Sequence, residues 1–307
     1  MKAVRVNRYG GSEVLQIEEI PTPKPAANEI LVSVKAAGLN PVDVIIVSGN
    51  AVWLPLTLPL TPGCDISGVV TEVGSSVSQF KVGDEVYGFT ELTRSGGYAE
   101  FVLALENEIA IKPKSLSFVE AASLPVVALT SWQSLVEHAN LKAGQRVLIH
   151  GASGGVGTVA IQIAKAKGAY VIATASAKNL ALLRELGADE TIDYHAAPFE
   201  NSVEPVDVVF DLVGGDTTDR SFQVLKPGGY LVSIVTEPSQ ELAQQKGVEA
   251  AQVLCQPSKS QLEEIATLIE GGKLKPIVDR VFAFAEVKTA FESVATRRSR
   301  GKIVLEM

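Results

Sequence analysis

The sequence predicts an α/β fold joined to an all-β unit, and three observations carry that prediction. Residues 1 to about 120 read as short strands separated by Gly and Pro turns. From about Pro113 the pattern changes to alternating strands and helices. A chain of 307 residues at 46% hydrophobic content is long and apolar enough for two cores.

In the first part, residues 1–6 alternate like a strand, and residues 29–35, 66–74, 85–89 and 98–105 follow as strands. Gly10-Gly11, the prolines from Pro21 to Pro25, the stretch from Pro59 to Gly63, and Gly96-Gly97 punctuate them. This is the grammar of a sandwich or barrel. In the second part, a helical stretch over 118–140 leads through the turn Lys142-Ala143-Gly144-Gln145 to the apolar strand 146–150. Helix 156–167, strand 170–175, helix 179–186, strand 206–213, helix 217–225, strand 230–235, strand 248–254 and helix 260–270 complete the series. Short apolar strands alternating with helices imply right-handed crossovers and a doubly wound parallel sheet. The tail returns to strand-like segments at 277–284 and 302–306, so it is expected to rejoin the β unit.

Charge and cysteine content narrow the function classes. Lys and Arg number 27 against 35 Asp and Glu, a net charge of −8. Such a chain lacks the basic field that holds a phosphate backbone, so nucleic acid is not an expected partner. Cys64 and Cys255 are too few for a disulfide framework and read as reduced thiols of a cytoplasmic protein. Residues 1–6 have no apolar targeting core, and the least charged long stretch, 121–136, carries Ser, Thr, Gln, Pro and Trp, so no membrane span is expected.

The motif richest in chemistry is His150-Gly151-Ala152-Ser153-Gly154-Gly155-Val156-Gly157, between a strand and a helix. Read as G-x-G-x-x-G, it has Ala152 in the first glycine position, then Gly154 and Gly157. Glycines here allow a sharp turn and close approach of a pyrophosphate, which the helix N-terminus attracts with free N–H groups and its dipole. The next strand ends Ala175-Ser176-Ala177-Lys178, without the carboxylate that accepts a ribose 2′-hydroxyl in NAD sites. Ser176 and Lys178 suit a 2′-phosphate, so NADPH is the expected cofactor.

Together with this turn, the segments Val34 to Asp43 (VKAAGLNPVD), Pro62 to Gly68 (PGCDISG), Ala128 to Trp132 (ALTSW), Asp211 to Gly215 (DLVGG) and Arg300 to Leu305 (RGKIVL) resemble the medium-chain dehydrogenase/reductase superfamily, in its zinc-independent quinone oxidoreductase branch. The resemblance spans essentially the whole chain. It implies a GroES-like β domain, residues 1–122 and 273–307, packed on a Rossmann NADPH-binding domain, residues 123–272, with the active site in the cleft between them. It implies reduction of quinones or of the C=C bond of α,β-unsaturated carbonyls, and a homodimer formed through an edge strand at 248–255. By the same resemblance, Ala152, Ser153, Gly154, Gly155, Val156 and Gly157 hold the pyrophosphate, and Ser176, Lys178 and Tyr194 surround the 2′-phosphate. Thr130, Val213 and Ile234 lie along the nicotinamide, Lys302 closes over from the tail, and Asn40 and Asp43 sit near the reacting ring.

Zinc is not expected. Alcohol dehydrogenases of this superfamily carry Cys where this chain has Asn40, and Gly-His-Glu where it has Gly63-Cys64-Asp65, while His138, His150 and His195 are far apart in sequence. Without a metal, a simple ketone is a hard substrate, whereas an enone or quinone spreads the charge that hydride addition creates. The Asn40 amide, the Thr130 hydroxyl or backbone N–H groups are the candidate donors to that charge. No catalytic acid stands out, and the loop 48–53 lacks the Tyr of related enoyl reductases. Trp53, Leu54, Leu56 and Leu58 read equally as substrate wall or as core. Asp43 also reads as a plain turn cap. Two other functions fit the same motifs: a non-catalytic NADPH-binding redox sensor or structural protein, and an alcohol dehydrogenase with a metal at Cys64.

Overall fold

The strand Glu29–Leu39 organises the N-terminal half by pairing antiparallel with Lys302–Glu306, Asp65–Val73 and Phe101–Leu105. The computed structural model describes residues 1–307 except Ser95. Its chain falls into two units, Met1–Val126 with Pro257–Glu270 and Pro276–Met307, and Val127–Gln256 with Gly271–Lys275.

In the first unit a seven-stranded sheet runs in the order Val278–Ala283, Lys302–Glu306, Glu29–Leu39, Asp65–Val73, Glu85–Phe89 and Ile109–Ile111, with Phe101–Leu105 on the side of Glu29–Leu39. A second sheet pairs Lys2–Val6 with Leu15–Glu19. Val4, Leu15, Ile30, Val32, Ile66, Tyr98, Phe291 and Leu305 meet in one core. The helix Lys259–Glu270 belongs here too, although the sequence places it in the α/β half. The Tyr87 hydroxyl donates to the Leu262 carbonyl at 2.7 Å, and the Lys114 N–H donates to Glu270 at 2.6 Å. Leu262, Ile265 and Ile269 are its buried face.

The second unit is a six-stranded parallel sheet in the order Glu190–Asp193, Tyr170–Ala175, Arg146–Ile149, Val206–Asp211, Leu225–Ser233, Glu249–Gln252. The order reverses between Arg146–Ile149 and Val206–Asp211, the switch point at which such sheets bind ligands. Leu148, Ile172, Phe199, Val209, Phe222 and Leu231 pack on one face. The fold is therefore the GroES-like β unit with a Rossmann-type sheet that the sequence predicts.

Several local expectations need correction. The tail is not purely strands, because Val287–Ala295 is a helix with Val287, Ala290, Phe291 and Val294 on its buried side. The segment 237–247, expected as a loop, contains the helix Gln240–Lys246, started by the Ser239 hydroxyl on the Leu242 N–H and stopped by Gly247 at φ 63°. The helix expected over 217–225 is Asp216–Ser221, and Leu225 already opens the next strand.

Phe210 is fully buried on the central strand Val206–Asp211, opposite Ile149 and Val232. Phe210→Ala is expected to lower unfolding stability by about 3–5 kcal/mol through lost burial and the cavity left behind. Leu254→Ala, at a residue 61% exposed, should stay within about 0.5 kcal/mol. Denaturant titration of the two variants checks the contrast.

Candidate active site

In the second unit, the strand Arg146–Ile149 passes through His150 and Gly151 into the helix Gly155–Ala166, with Gly154 as its N-cap. Among the described residues no side chain caps that helix, which leaves its first-turn N–H groups and its positive end open, the kind of place where anions bind. Glycine is required at 157, where a Cβ would lie 2.4 Å from the Ala152 Cα. At 154 a Cβ would meet only the Gly151 carbonyl, at 3.6 Å, so the outer side of the turn is open. The Ala152 N–H donates to the Thr174 carbonyl at 3.0 Å and fastens the turn to the next strand.

Below the turn, buried His150 bridges the Thr174 hydroxyl at 3.1 Å and the Ser221 hydroxyl at 3.2 Å. Burial pushes its pKa down to about 4, so it is a neutral structural bridge near pH 7. The second anchor is Asp211, fully buried at the end of its strand. Its carboxylate accepts the N–H groups of Val213 and Gly214 at 2.9 and 3.1 Å and the hydroxyls of Thr218 and Ser233 at 2.5 and 3.3 Å. Its carbonyl accepts the Ile234 N–H at 3.3 Å, so Val213 and Ile234 are brought to the same strand ends. Val213 is 49% exposed there. Sequence reasoning gave Asp211 no role, and a carboxylate closing an apolar strand before two glycines was the available signal.

Tyr194 lies beside the strand end that leads into Ser176 and, two residues on, Lys178. The Tyr194 N–H donates to the Ala175 carbonyl at 3.3 Å, one residue before Ser176. The Asn179 amide donates to the hydroxyls of Ser153 at 3.0 Å and Ser176 at 3.4 Å, linking the glycine turn to the end of the next strand. Asn179 is a second residue that sequence reasoning missed. Lys178 and Tyr194 are exposed. Asp193, at the adjacent strand end, uses its carboxylate on the His195 N–H. Thr130 lies buried on the helix Pro125–Trp132.

The first unit gathers a buried polar cluster. Asn40 is the N-cap of the helix Pro41–Val47, and its N–H donates to the Asp43 carboxylate at 2.7 Å, so Asp43 does cap this turn. The same Asp43 oxygen accepts the Tyr98 hydroxyl at 2.6 Å, while its other oxygen has no hydrogen-bond partner among the described residues. The Asn40 side-chain amide donates to Asp65 at 2.9 Å and lies 3.7 Å from the Cys64 sulfur. Lys302 donates to the Asn40 side-chain oxygen at 2.5 Å and to Asp65 at 3.0 Å. The other Asp65 oxygen accepts the Val126 N–H at 2.7 Å. Asn40, Asp43 and Lys302 are thus united, with Asp65 and Tyr98 as members that the sequence did not single out. Trp53 stays 53% exposed, whereas Leu58 packs on the core.

The comparisons with known proteins agree with this architecture. Residues 26–114 match the alcohol dehydrogenase GroES-like domain family, and residues 186–305 match the zinc-binding dehydrogenase family. The mitochondrial NAD(P)H oxidoreductase RTN4IP1 of Danio rerio is 36% identical over 100% of this chain and 91% of its own length. The 2-methylene-furan-3-one reductase of Solanum lycopersicum is 36% identical over 99% of this chain and 79% of its own. A solved quinone oxidoreductase from Coxiella burnetii superposes with a TM-score of 0.94 at 40% identity, covering 100% of this chain and 99% of that one. The second family description names zinc, but the donor set here does not fit that ion. Cys64 is the cluster's one thiol, and the Asp65 carboxylate is already neutralised by an ammonium 3.0 Å away, which would repel a second cation. Among the described residues no three His, Cys, Asp or Glu side chains gather as a metal requires.

Burial raises the Asp43 pKa from its usual 3.8 to about 6, against the lowering effects of Tyr98 and the Asn40 N–H. Between those two pH values the folded chain holds a proton that the unfolded chain has lost, so this group makes stability fall as pH rises through the window. Asp43→Asn removes the titration. The stability of wild type minus that of the variant should therefore decline by about 2 kcal/mol from pH 4 to pH 6.5, read by chemical denaturation across that range.

Proposed function

We propose NADPH-dependent reduction of quinones, or of the C=C bond of α,β-unsaturated carbonyls, for this chain, which belongs to the medium-chain dehydrogenase/reductase superfamily among quinone oxidoreductases and enone reductases. The observation that carries the cofactor is the uncapped helix N-terminus at Gly154, open on its outer side and linked by Asn179 to Ser176. The Gly154 N–H is spent on the Gly151 carbonyl at 3.2 Å, so the backbone N–H groups from Gly155 to Gly157 would receive the pyrophosphate, and Asp211 would fix Val213 and Gly214 beside the nicotinamide. Ser176, Lys178 and Tyr194 would take the adenosine 2′-phosphate, with Lys178 supplying the cation that favours NADPH over NADH. A bound nicotinamide supplies the hydride.

The first unit supports the acceptor class. Its cluster holds an ammonium ion rather than a metal set, so it offers a hydrogen-bond donor instead of a Lewis acid. That arrangement suits a carbonyl oxygen whose negative charge is shared along a conjugated system. The Asn40 amide acts differently from the sequence expectation. Its oxygen is taken by Lys302 and its N–H groups face Asp65 and Cys64, so it orients the cluster. The order of the second unit's sheet leaves Glu249–Gln252 as a terminal strand, which supports a homodimer through that edge. Neither cysteine is in a disulfide, which supports a reducing compartment such as the cytoplasm.

Steady-state NADPH oxidation against a panel of quinones, alkenals and cyclic enones should show turnover with at least one conjugated acceptor and none with simple ketones. NADPH binding without turnover on any of them would return the chain to a sensor or structural role. Lys178→Ala should raise the KM for NADPH about tenfold, roughly 1.4 kcal/mol, and leave the KM for NADH unchanged. Equal use of both cofactors by wild type would overturn the 2′-phosphate assignment.

A further inference from the structure

Hydride addition to the β-carbon of an enone leaves negative charge on the carbonyl oxygen, and that oxygen or the α-carbon must finally gain a proton. The residues of the polar cluster differ sharply in their ability to meet this need. Asn40 has its side-chain oxygen on Lys302, one N–H on Asp65 and the other toward Cys64. The Tyr98 hydroxyl is committed to Asp43, and burial with two neighbouring carboxylates holds its pKa well above the ordinary tyrosine value. Asp43 is ionised at pH 7, so it would repel an oxyanion. Asp65 is an acceptor for three donors and is fully buried.

Lys302 is the exception. An ammonium has three N–H bonds, and two of these are directed at Asn40 and Asp65, with no third acceptor among the described residues. Its side chain keeps 6% exposure where that of its partner Asp65 keeps none. Two fixed hydrogen bonds point the ammonium, which is the preorganisation that oxyanion stabilisation needs. Resting on the reductase reading above, we propose that Lys302 is a catalytic residue whose third N–H binds the carbonyl oxygen of the acceptor and gives it a proton. In that step the acceptor gains the hydride's electron pair and its C=C bond becomes a C–H bond plus an enolate. The N–H bond of Lys302 breaks as the enol O–H forms. The neutral amine then regains a proton from water, and the enol rearranges to the saturated carbonyl. Asn40 and Asp65 are positioning residues for this ammonium.

The test compares acceptors whose reduced forms differ in basicity. Lys302→Met alone leaves the Asp65 carboxylate buried without its counter-ion, which risks folding, so the central variant is Lys302→Met combined with Asp65→Asn. Its fold is verified by the thermal transition and by far-UV circular dichroism. Its kcat should fall 10²- to 10³-fold with a cyclic enone, whose enolate is strongly basic, and less than tenfold with an electron-poor quinone, whose reduced form needs little help from an acid. Lys302→Arg, which keeps a cation, should show a smaller loss on the enone and the same ranking of acceptors. Equal losses on both acceptors, or no loss on the enone, at saturating NADPH in a folded variant would overturn the assignment while leaving the reductase reading intact. Wild-type protein that binds NADPH but reduces neither acceptor would overturn that reading, and this one with it.

Discussion

The ion pair between Lys302 and Asp65 is the constraint on which the first unit turns. A fully buried carboxylate is tolerated only when its charge is paired and its lone pairs are filled. Here an ammonium, a side-chain amide and a backbone N–H do both. Because the partners are 237 residues apart in sequence, the pair ties the C-terminal strand to the opening of Asp65–Val73. The strand Lys302–Glu306 then extends the seven-stranded sheet by pairing with Glu29–Leu39, and Asn40, just past the end of that long strand, starts the helix Pro41–Val47. C-terminal strand, helix cap and polar cluster share one electrostatic knot.

The second unit solves a different problem with neutral groups. The turn makes one bond to itself, from the Gly154 N–H to the Gly151 carbonyl at 3.2 Å, and further support comes from beneath and from the sides. His150, kept uncharged by burial, bridges two hydroxyls below the turn, and Asp211 draws a neighbouring loop onto the strand ends. Asn179 closes the remaining side by joining Ser153 to Ser176. The packing of Gly157 on Ala152 brings helix and strand closer than any side chain would allow.

Elements with strong periodicity were legible in the sequence. Tyr170–Ala175, Glu85–Phe89 and Lys302–Glu306 have the bounds their residues predict. Gln240–Lys246 was not legible, because only Ala243 on it is buried and a polar segment carries no hydrophobic period. Pro41–Val47 is a run of β-branched residues that favours a strand by composition. Its helix depends on Asn40 and Asp43 at the N-terminus and on Pro41 in the first turn. Val287–Ala295 did carry its signal at 287, 290, 291 and 294, hidden by neighbouring strand-like segments.

By itself the sequence determined the two kinds of fold, the family, the glycine turn and the residue types around it. These are local properties: alternation of apolar residues, glycine where a backbone must approach closely, and a lysine instead of a carboxylate at a strand end. Only the tertiary structure decided what the polar residues do. The sheet sets Lys302 against Asp65, and Lys302 and Asp65 occupy the Asn40 amide, pairings that no local pattern announces. The role of a hydrogen-bonding group is set by which of its donors and acceptors remain unspent, and that depends on neighbours the chain meets only on folding.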